Sequence, residues 1–220
     1  MRVAASTARD GSSPGSGGGS RIYLVRHGQT PLNAAGVLRG RLDPPLDEVG
    51  QLQAKRLGEA LNHRNIGLVV SSPLHRATET AAAIAAPLEL PVRTDGRLID
   101  RDYGRWAGSR REDVESRWGS LDAAPDVEPI DDVRLRAWEA LAEIASRVAG
   151  GAAVVVSHDV VIRICLAAVD PLLGHPDELP QDTGCVNTLD HQDGRWRVIR
   201  INEILDRSAE GGTRVEGTSR

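Results

Sequence analysis

The chain has 220 residues, a formal net charge of −4 and a pI near 5.9. That length suits one domain with a sizeable core, and the acidic balance gives no reason to expect nucleic acid or an anionic membrane surface as a partner. Lys55 is the only lysine, so arginine supplies nearly all positive charge, and most arginines read as solvated surface. Cys165 and Cys185 form no disulfide framework, and the six histidines show no metal-ligand spacing. No apolar stretch approaches a membrane span, and the N-terminal residues lack the apolar core of a secretory signal. The expectation is a cytoplasmic protein without a cofactor or a metal.

Residues 1–20 end in Gly11-Ser12-Ser13-Pro14-Gly15-Ser16-Gly17-Gly18-Gly19-Ser20, which cannot build a core and reads as a flexible leader. A folded body is expected over 21–207, followed by a flexible tail at 208–220. Ile22 to Val25 is a continuous apolar run of the kind buried on both faces of a sheet. A Gly/Pro-rich loop covers Gly28 to Pro45. Asp47 then caps a helix to about Asn62 with Leu52, Leu57 and Leu61 on its apolar stripe. Gly67 to Ser71 reads as the next strand, and Pro73 opens a helix to about Ala86. Pro91 to Arg93 reads as a short strand, and 98–130 as irregular with weak helix over Arg111 to Trp118. Asp131 begins the longest helical pattern, with Val133, Ala137, Leu141, Ile144 and Val148 inward, ended by Gly150-Gly151. Ala152 to Val156 is a very apolar strand, Val160 to Val169 a helix, and Trp196 to Ile201 a last, edge strand after the Gly194 turn. This alternation predicts an α/β fold, a three-layer α/β/α sandwich with a mostly parallel central sheet.

In such a sheet, polar residues at the carboxyl ends of buried strands share one edge, where open α/β sheets bind ligands. Arg26 and His27 end the first strand, Arg76 lies in the first turn after the second, and His158 follows Val154-Val155-Val156-Ser157. Guanidinium groups present paired donors that match phosphate, and a neutral imidazole can attack phosphorus while a second one binds the equatorial oxygens. Arginines can then carry the charge that a metal would otherwise neutralise.

Leu24-Val25-Arg26-His27-Gly28-Gln29-Thr30 with Asn33, Gly40-Arg41-Leu42-Asp43-Pro44-Pro45-Leu46, Ser71-Ser72-Pro73-Leu74-His75-Arg76-Ala77 and Val156-Ser157-His158 together resemble the histidine phosphatase (phosphoglycerate mutase-like, branch 1) superfamily. The four ordered motifs span most of residues 21–201. The resemblance implies a phosphoglycerate mutase-like fold and a catalytic domain over 21–207. It also implies a nucleophilic His27, a phosphate pocket of Arg26, Arg76 and His158, and Gly28, Thr30 and Asn33 on the substrate side. Thr30 is the weaker member, since a hydroxyl after a glycine turn often bonds local backbone. Asp43 reads as a turn former beside Pro44-Pro45. His63, His75, His175 and His191 read as surface or loop residues.

Two departures from that pattern stand out. Asp100, in Leu98-Ile99-Asp100-Arg101-Asp102-Tyr103-Gly104, occupies the place where relatives carry a glutamate proton donor, and it is roughly 1.5 Å shorter. Asp100 is the expected acid, with Asp102 as the alternative. Asp159 follows His158 where relatives usually have glycine; it either acts on the pocket or, as favoured, points away and caps the next helix. Arg39, Arg41, Arg101, Arg105 and Trp106 are placed at the mouth. The excursion between Gly108 and Asp131 is short, which favours water over a second substrate as phosphoryl acceptor. The expected function is metal-independent hydrolysis of a small-molecule phosphomonoester. A non-catalytic phosphate-ligand-binding relative and a mutase-type phosphotransferase are the alternatives. Neither the substrate nor the oligomeric state is readable.

Overall fold

The computed structural model describes residues 18–205. The leader and tail expectations over 1–17 and 206–220 lie outside the described residues. In chain order the elements are β1 (Ser20–Arg26), α1 (Pro31–Ala34), α2 (Glu48–Leu61), β2 (Ile66–Ser71), α3 (His75–Ala85), β3 (Val92–Thr94), α4 (Arg111–Trp118), α5 (Ile130–Arg147), β4 (Ala152–Ser157), α6 (Asp159–Val169), β5 (Val186–Gln192) and β6 (Arg195–Glu203). Ser20, expected in the leader, is instead the buried first residue of β1.

The strands form one sheet in the order β3-β2-β4-β1-β5-β6. β3, β2, β4 and β1 run parallel, while β5 and β6 add an antiparallel margin beside β1. Successive side chains of a strand face opposite ways, and the two cores follow that period. Ile22, Leu24, Ala153 and Val155 pack with α5 and α6 through Val133, Leu141, Ile162 and Leu166. Tyr23, Val25, Val154 and Val156 pack with α2 and α3 through Leu57, Leu61, Ala77 and Ile84. The result is the expected three-layer sandwich, each fully buried aliphatic side chain contributing about 1.5–3 kcal/mol. Cys165 is a buried member of the α6 core. Among the described residues, no helix is long and apolar enough to cross a membrane.

Three local expectations are corrected. β5 was unread because Asn187 and Thr188 are buried polar residues in a central strand. Asn187 Nδ2 donates to Leu24 O (3.1 Å) and Gln181 Oε1 (2.9 Å), so the polarity is satisfied over long range. Leu52 does not belong to the apolar stripe of α2, since it is 48% exposed. Gly50 and Gly58 set the buried face instead: a Cβ there would stand 2.1 Å from Gln29 O and 2.4 Å from Ala83 O. Finally, α3 starts at His75 rather than Pro73, because its first free amide is capped from afar, His75 N donating to Asp43 Oδ1 at 2.6 Å. Asp43 is thus a long-range helix cap that ties the loop after β1 to α3.

A small third cluster of Leu38, Tyr103, Val114, Leu121 and Ala124 lies beneath the irregular segment between β3 and α5. It is the apolar floor of a short cap over the carboxyl edge of the sheet.

Candidate active site

Strand register brings the distant motifs together. Arg26 is paired with Ser157 across β1 and β4, and Ser71 of β2 with Val156. The next residues, His27, His158 and Ser72, therefore leave three adjacent strands side by side. His27 N donates to Ser157 O (3.1 Å) and Ser72 N to Val156 O (2.9 Å), extending the ladders into the site. The two imidazoles are fully buried with centroids 5.1 Å apart.

Two hydrogen bonds assign the protons of His27. Arg76 Nε–H can only donate, so His27 Nε2, 3.1 Å away, accepts and carries a lone pair. The proton then sits on Nδ1, which donates to Gly28 O at 2.7 Å. Burial first, then the charges of Arg76 and Arg26, push this imidazole well below its ordinary range. His27 is consequently a neutral imidazole whose Nε2 lone pair is held by Arg76 Nε.

Arg76 organises the floor of the site. Its Nη1 donates to Leu42 O (2.7 Å), and Nη2 to Gly40 O and Asp100 Oδ2 (both 3.0 Å). Thr80 Oγ1 links the same helix to β1, donating to Arg76 O (2.7 Å) and accepting from Gly28 N (3.0 Å). A Cβ on Gly28 would lie 2.5 Å from Gly50 O, so only glycine admits α2 this close.

Asp100 is buried, with Arg101 N donating to its Oδ1 at 2.9 Å and His158 Nδ1 lying 3.9 Å from Oδ2. Burial raises the pKa of its carboxyl above the ordinary value, and the Arg76 charge opposes that rise. His158 Nε2 is 2.7 Å from Ser72 Oγ. Its own imidazole is held well below the usual range by burial, then by Arg76 and His27. Arg26 donates through Nη1 to Gln181 O and faces Asp159 Oδ2 at 3.7 Å.

Five buried side-chain polar atoms among the described residues lack a partner. Four of them are nitrogens of this neighbourhood: Arg26 Nε, Asn33 Nδ2, Arg39 Nε and His158 Nδ1. Buried groups of this kind cost free energy unless something pairs with them, and the Arg26, Asn33 and Arg39 nitrogens, as donors, suit an acceptor.

The model of the histidine phosphatase superfamily (branch 1) matches residues 22–204. The chain belongs to that superfamily. It is 34% identical over 193 residues to "Phosphoserine phosphatase 1" of Hydrogenobacter thermophilus, covering 81% of this chain and 90% of that protein. A solved mycobacterial glucosyl-3-phosphoglycerate phosphatase superposes with a TM-score of 0.74 at 28% identity, over 84% of this chain and 99% of that one. A phosphoglycerate mutase structure from Bacillus anthracis gives a TM-score of 0.78 at 23% identity, over 86% and 95% of the two chains, and so bears on the fold alone. The family makes this chain a phosphatase enzyme.

In this histidine phosphatase, His27, Arg26, Arg76, His158 and Asp100 converge as their sequence positions implied, and several other readings change. Gly28 offers the substrate no free backbone group: its amide serves Thr80 and its carbonyl serves His27. Thr30 is the N-cap of α1 and spends its hydroxyl there, donating to Asn33 Oδ1 (2.8 Å) and accepting from Asn33 N (3.3 Å). That box fixes Asn33 with its Nδ2 unpaired. Asp102 is not at the site; it pairs with Arg41 (3.2 Å) and accepts from Gly104 N (2.8 Å). Asp159 does not point away and is not the cap. It is the first residue of α6, behind His158 at the N-cap, and its carboxylate faces Arg26 and pairs with Arg163.

Of the mouth residues, Arg41 is taken by Asp102, Arg101 is buried in the cap against Asp122 and Glu128 O, and Arg105 pairs with Asp126. Trp106 Nε1 donates to Pro125 O at 2.8 Å. Arg101 reaches the site through its amide on Asp100, and Arg39 through its charge, which bears on His27, His158 and Asp100. Arg136 of α5 was missed among the many arginines. It holds the Asp100 loop by donating to Arg97 O (2.7 Å), Ile99 O (2.6 Å) and Asp100 O (3.2 Å), with Glu128 at 2.8 Å as its counter-ion. The signal was available in its helical position: three residues past the inward Val133 and one before Ala137.

Proposed function

We propose that this enzyme hydrolyses small phosphomonoesters through a phosphohistidine at His27, without a metal. The observation that carries this reading is a buried neutral imidazole whose Nε2 lone pair has only Arg76 Nε to leave on attack, beside unpaired donors on Arg26, Asn33 and Arg39. The relatives support the substrate size: their names specify phosphoserine and glucosyl-3-phosphoglycerate, both small phosphorylated metabolites.

In the first step His27 Nε2 forms the N–P bond while the P–O bond to the alcohol breaks in line. Arg26, Arg76 and His158 bind the phosphoryl oxygens, with Asn33 at the rim, and need no reorganisation as charge develops. Asp100, protonated, gives its proton to the departing alkoxide; burial supplies the raised pKa that this requires. In the second step the Asp100 carboxylate takes a proton from water as water attacks phosphorus, and His27 leaves as neutral imidazole. Thr30 and Gly28 serve by positioning Asn33 and His27.

The test is phosphate release from a panel of phosphomonoesters in EDTA, wild type against His27→Ala. Turnover that resists EDTA and falls about 10⁴-fold or more in the variant is expected. Retained turnover in His27→Ala would sink the assignment. Phosphate binding without turnover of any ester would make the chain a binding module instead.

A further inference from the structure

The charge layout of the pocket bears on which phosphoesters it takes. Two of its three arginines face a carboxylate: Arg76 meets Asp100 at 3.0 Å and Arg26 meets Asp159 at 3.7 Å. Arg39 meets none within 4 Å among the described residues, and its buried Nε has no partner at all. Its Nη1 is turned toward Val37 O at 3.4 Å, which leaves the Nε–Nη2 edge as the open side.

The residue is firmly held. Leu38 N donates to Ser109 O (2.9 Å), Gly108 N donates to Leu38 O (2.7 Å), and Gly40 O accepts from Arg76. Arg39 therefore projects from a strap fixed both to the cap and to the floor. Its neighbour Gly40 accepts from Arg76 Nη2, the nitrogen that also donates to Asp100 Oδ2, so the strap runs along the Asp100 side of the site. In-line displacement puts the leaving alcohol opposite the nucleophile, on the acid's side, which is where Arg39 stands.

We propose that Arg39 binds a carboxylate carried on the alcohol portion of the substrate, so that the preferred substrates are phosphoesters of hydroxycarboxylic acids. This rests on the phosphatase reading above. With Asp100 protonated and Asp159 offsetting Arg163, three cationic charges face the pocket, Arg26, Arg39 and Arg76. A phosphoryl dianion balances two and a carboxylate the third. A second phosphate would overshoot this balance, and a neutral alcohol would leave Arg39 half-buried and unpaired. The planar two-donor edge of a guanidinium also matches a planar carboxylate.

The experiment compares kcat/KM on two matched pairs that differ by one carboxylate: O-phosphoserine against O-phosphoethanolamine, and 3-phosphoglycerate against glycerol 3-phosphate. p-Nitrophenyl phosphate serves as a general probe. Wild type should favour the carboxylate-bearing member by about 10-fold or more, as one charge-assisted pair implies. In Arg39→Leu the ratio within each pair should collapse toward unity, whatever happens to the absolute rates. Arg39→Lys, which keeps the charge, should restore part of it. A wild type without preference, or a ratio unchanged in Arg39→Leu, overturns the proposal; equal losses on both members would assign Arg39 to the transferred phosphoryl instead. Failure to turn over any ester, p-nitrophenyl phosphate included, sinks the phosphatase reading and this proposal with it.

Discussion

The floor and the rim of this site are built on opposite terms. On the floor, Arg76 and Asp100 are almost wholly removed from water, 0% and 4% exposed, and every nitrogen of the guanidinium has a protein partner. At the rim, Arg26 and Asp159 retain 9% and 20% exposure, their separation is 3.7 Å, and Arg26, Asn33 and Arg39 keep unpaired donors. The floor is thus largely satisfied before any ligand arrives and fixes the proton and orientation of His27, with the second Nη1 hydrogen of Arg76 left for a phosphoryl oxygen. The rim is unsatisfied, and its donors gain partners only from a ligand. Preorganisation rests on Arg76, while most of the unpaired binding capacity rests on Arg26 and Arg39.

The sharpest way to break this division is Arg76→Ala. It leaves the buried Asp100 carboxyl, two loop carbonyls and the lone pair of His27 without their donor at once. Each buried polar group left without its partner costs about 1–3 kcal/mol, so thermal unfolding should shift strongly downward and turnover should vanish. A rim substitution of the same type, Arg26→Ala, should cut turnover with a far smaller shift in the melt. Equal melting shifts for the two variants would erase the distinction.

The same contrast explains what could be read before any coordinates. The strands β1, β2 and β4 were legible because strands buried on both faces leave unbroken apolar runs, such as Ile22 to Val25 and Ala152 to Val156. Their ends located His27, Arg76 and His158. The unread parts depend on contacts distant in sequence. β5 hides behind Asn187, whose partners are Leu24 and Gln181. The buried face of α2 is set by Gly50 and Gly58 against backbone, not by its leucines. Arg39, Arg136 and Asp159 carry their meaning in what they pair with or fail to pair with. In a chain this rich in arginine, residue type alone does not separate them.

A smaller effect tests the floor's chemistry rather than its stability. With Asp100 as acid, the first step needs its proton, so turnover of alkyl phosphates should fall as pH rises through the raised pKa of that carboxyl. His27 stays neutral well below pH 6.5, since burial depresses its imidazole, so no opposing acid limb should appear in mildly acidic solution. Asp100→Asn should remove the alkaline limb and lower the rate on alkyl esters about 10²–10⁴-fold. p-Nitrophenyl phosphate, whose leaving group needs little protonation, should lose much less. An alkaline limb that survives in Asp100→Asn would assign the proton to another group.

The least effect is expected at the rim, and its sign is the informative part. Asp159 places a negative charge beside Arg26, on the path of an incoming anion. If the rim is an unsatisfied binding surface, removing that charge should tighten anion binding rather than weaken it. Asp159→Asn should therefore lower the inhibition constant for inorganic phosphate about 2- to 5-fold, in keeping with the small worth of partly solvated ion pairs, with little change in the melt. Added salt should shrink the difference, because exposed charges are screened. Weaker phosphate binding in Asp159→Asn would mean that the carboxylate acts mainly by orienting Arg26. The rim would then be preorganised like the floor, held from α6 instead of α3.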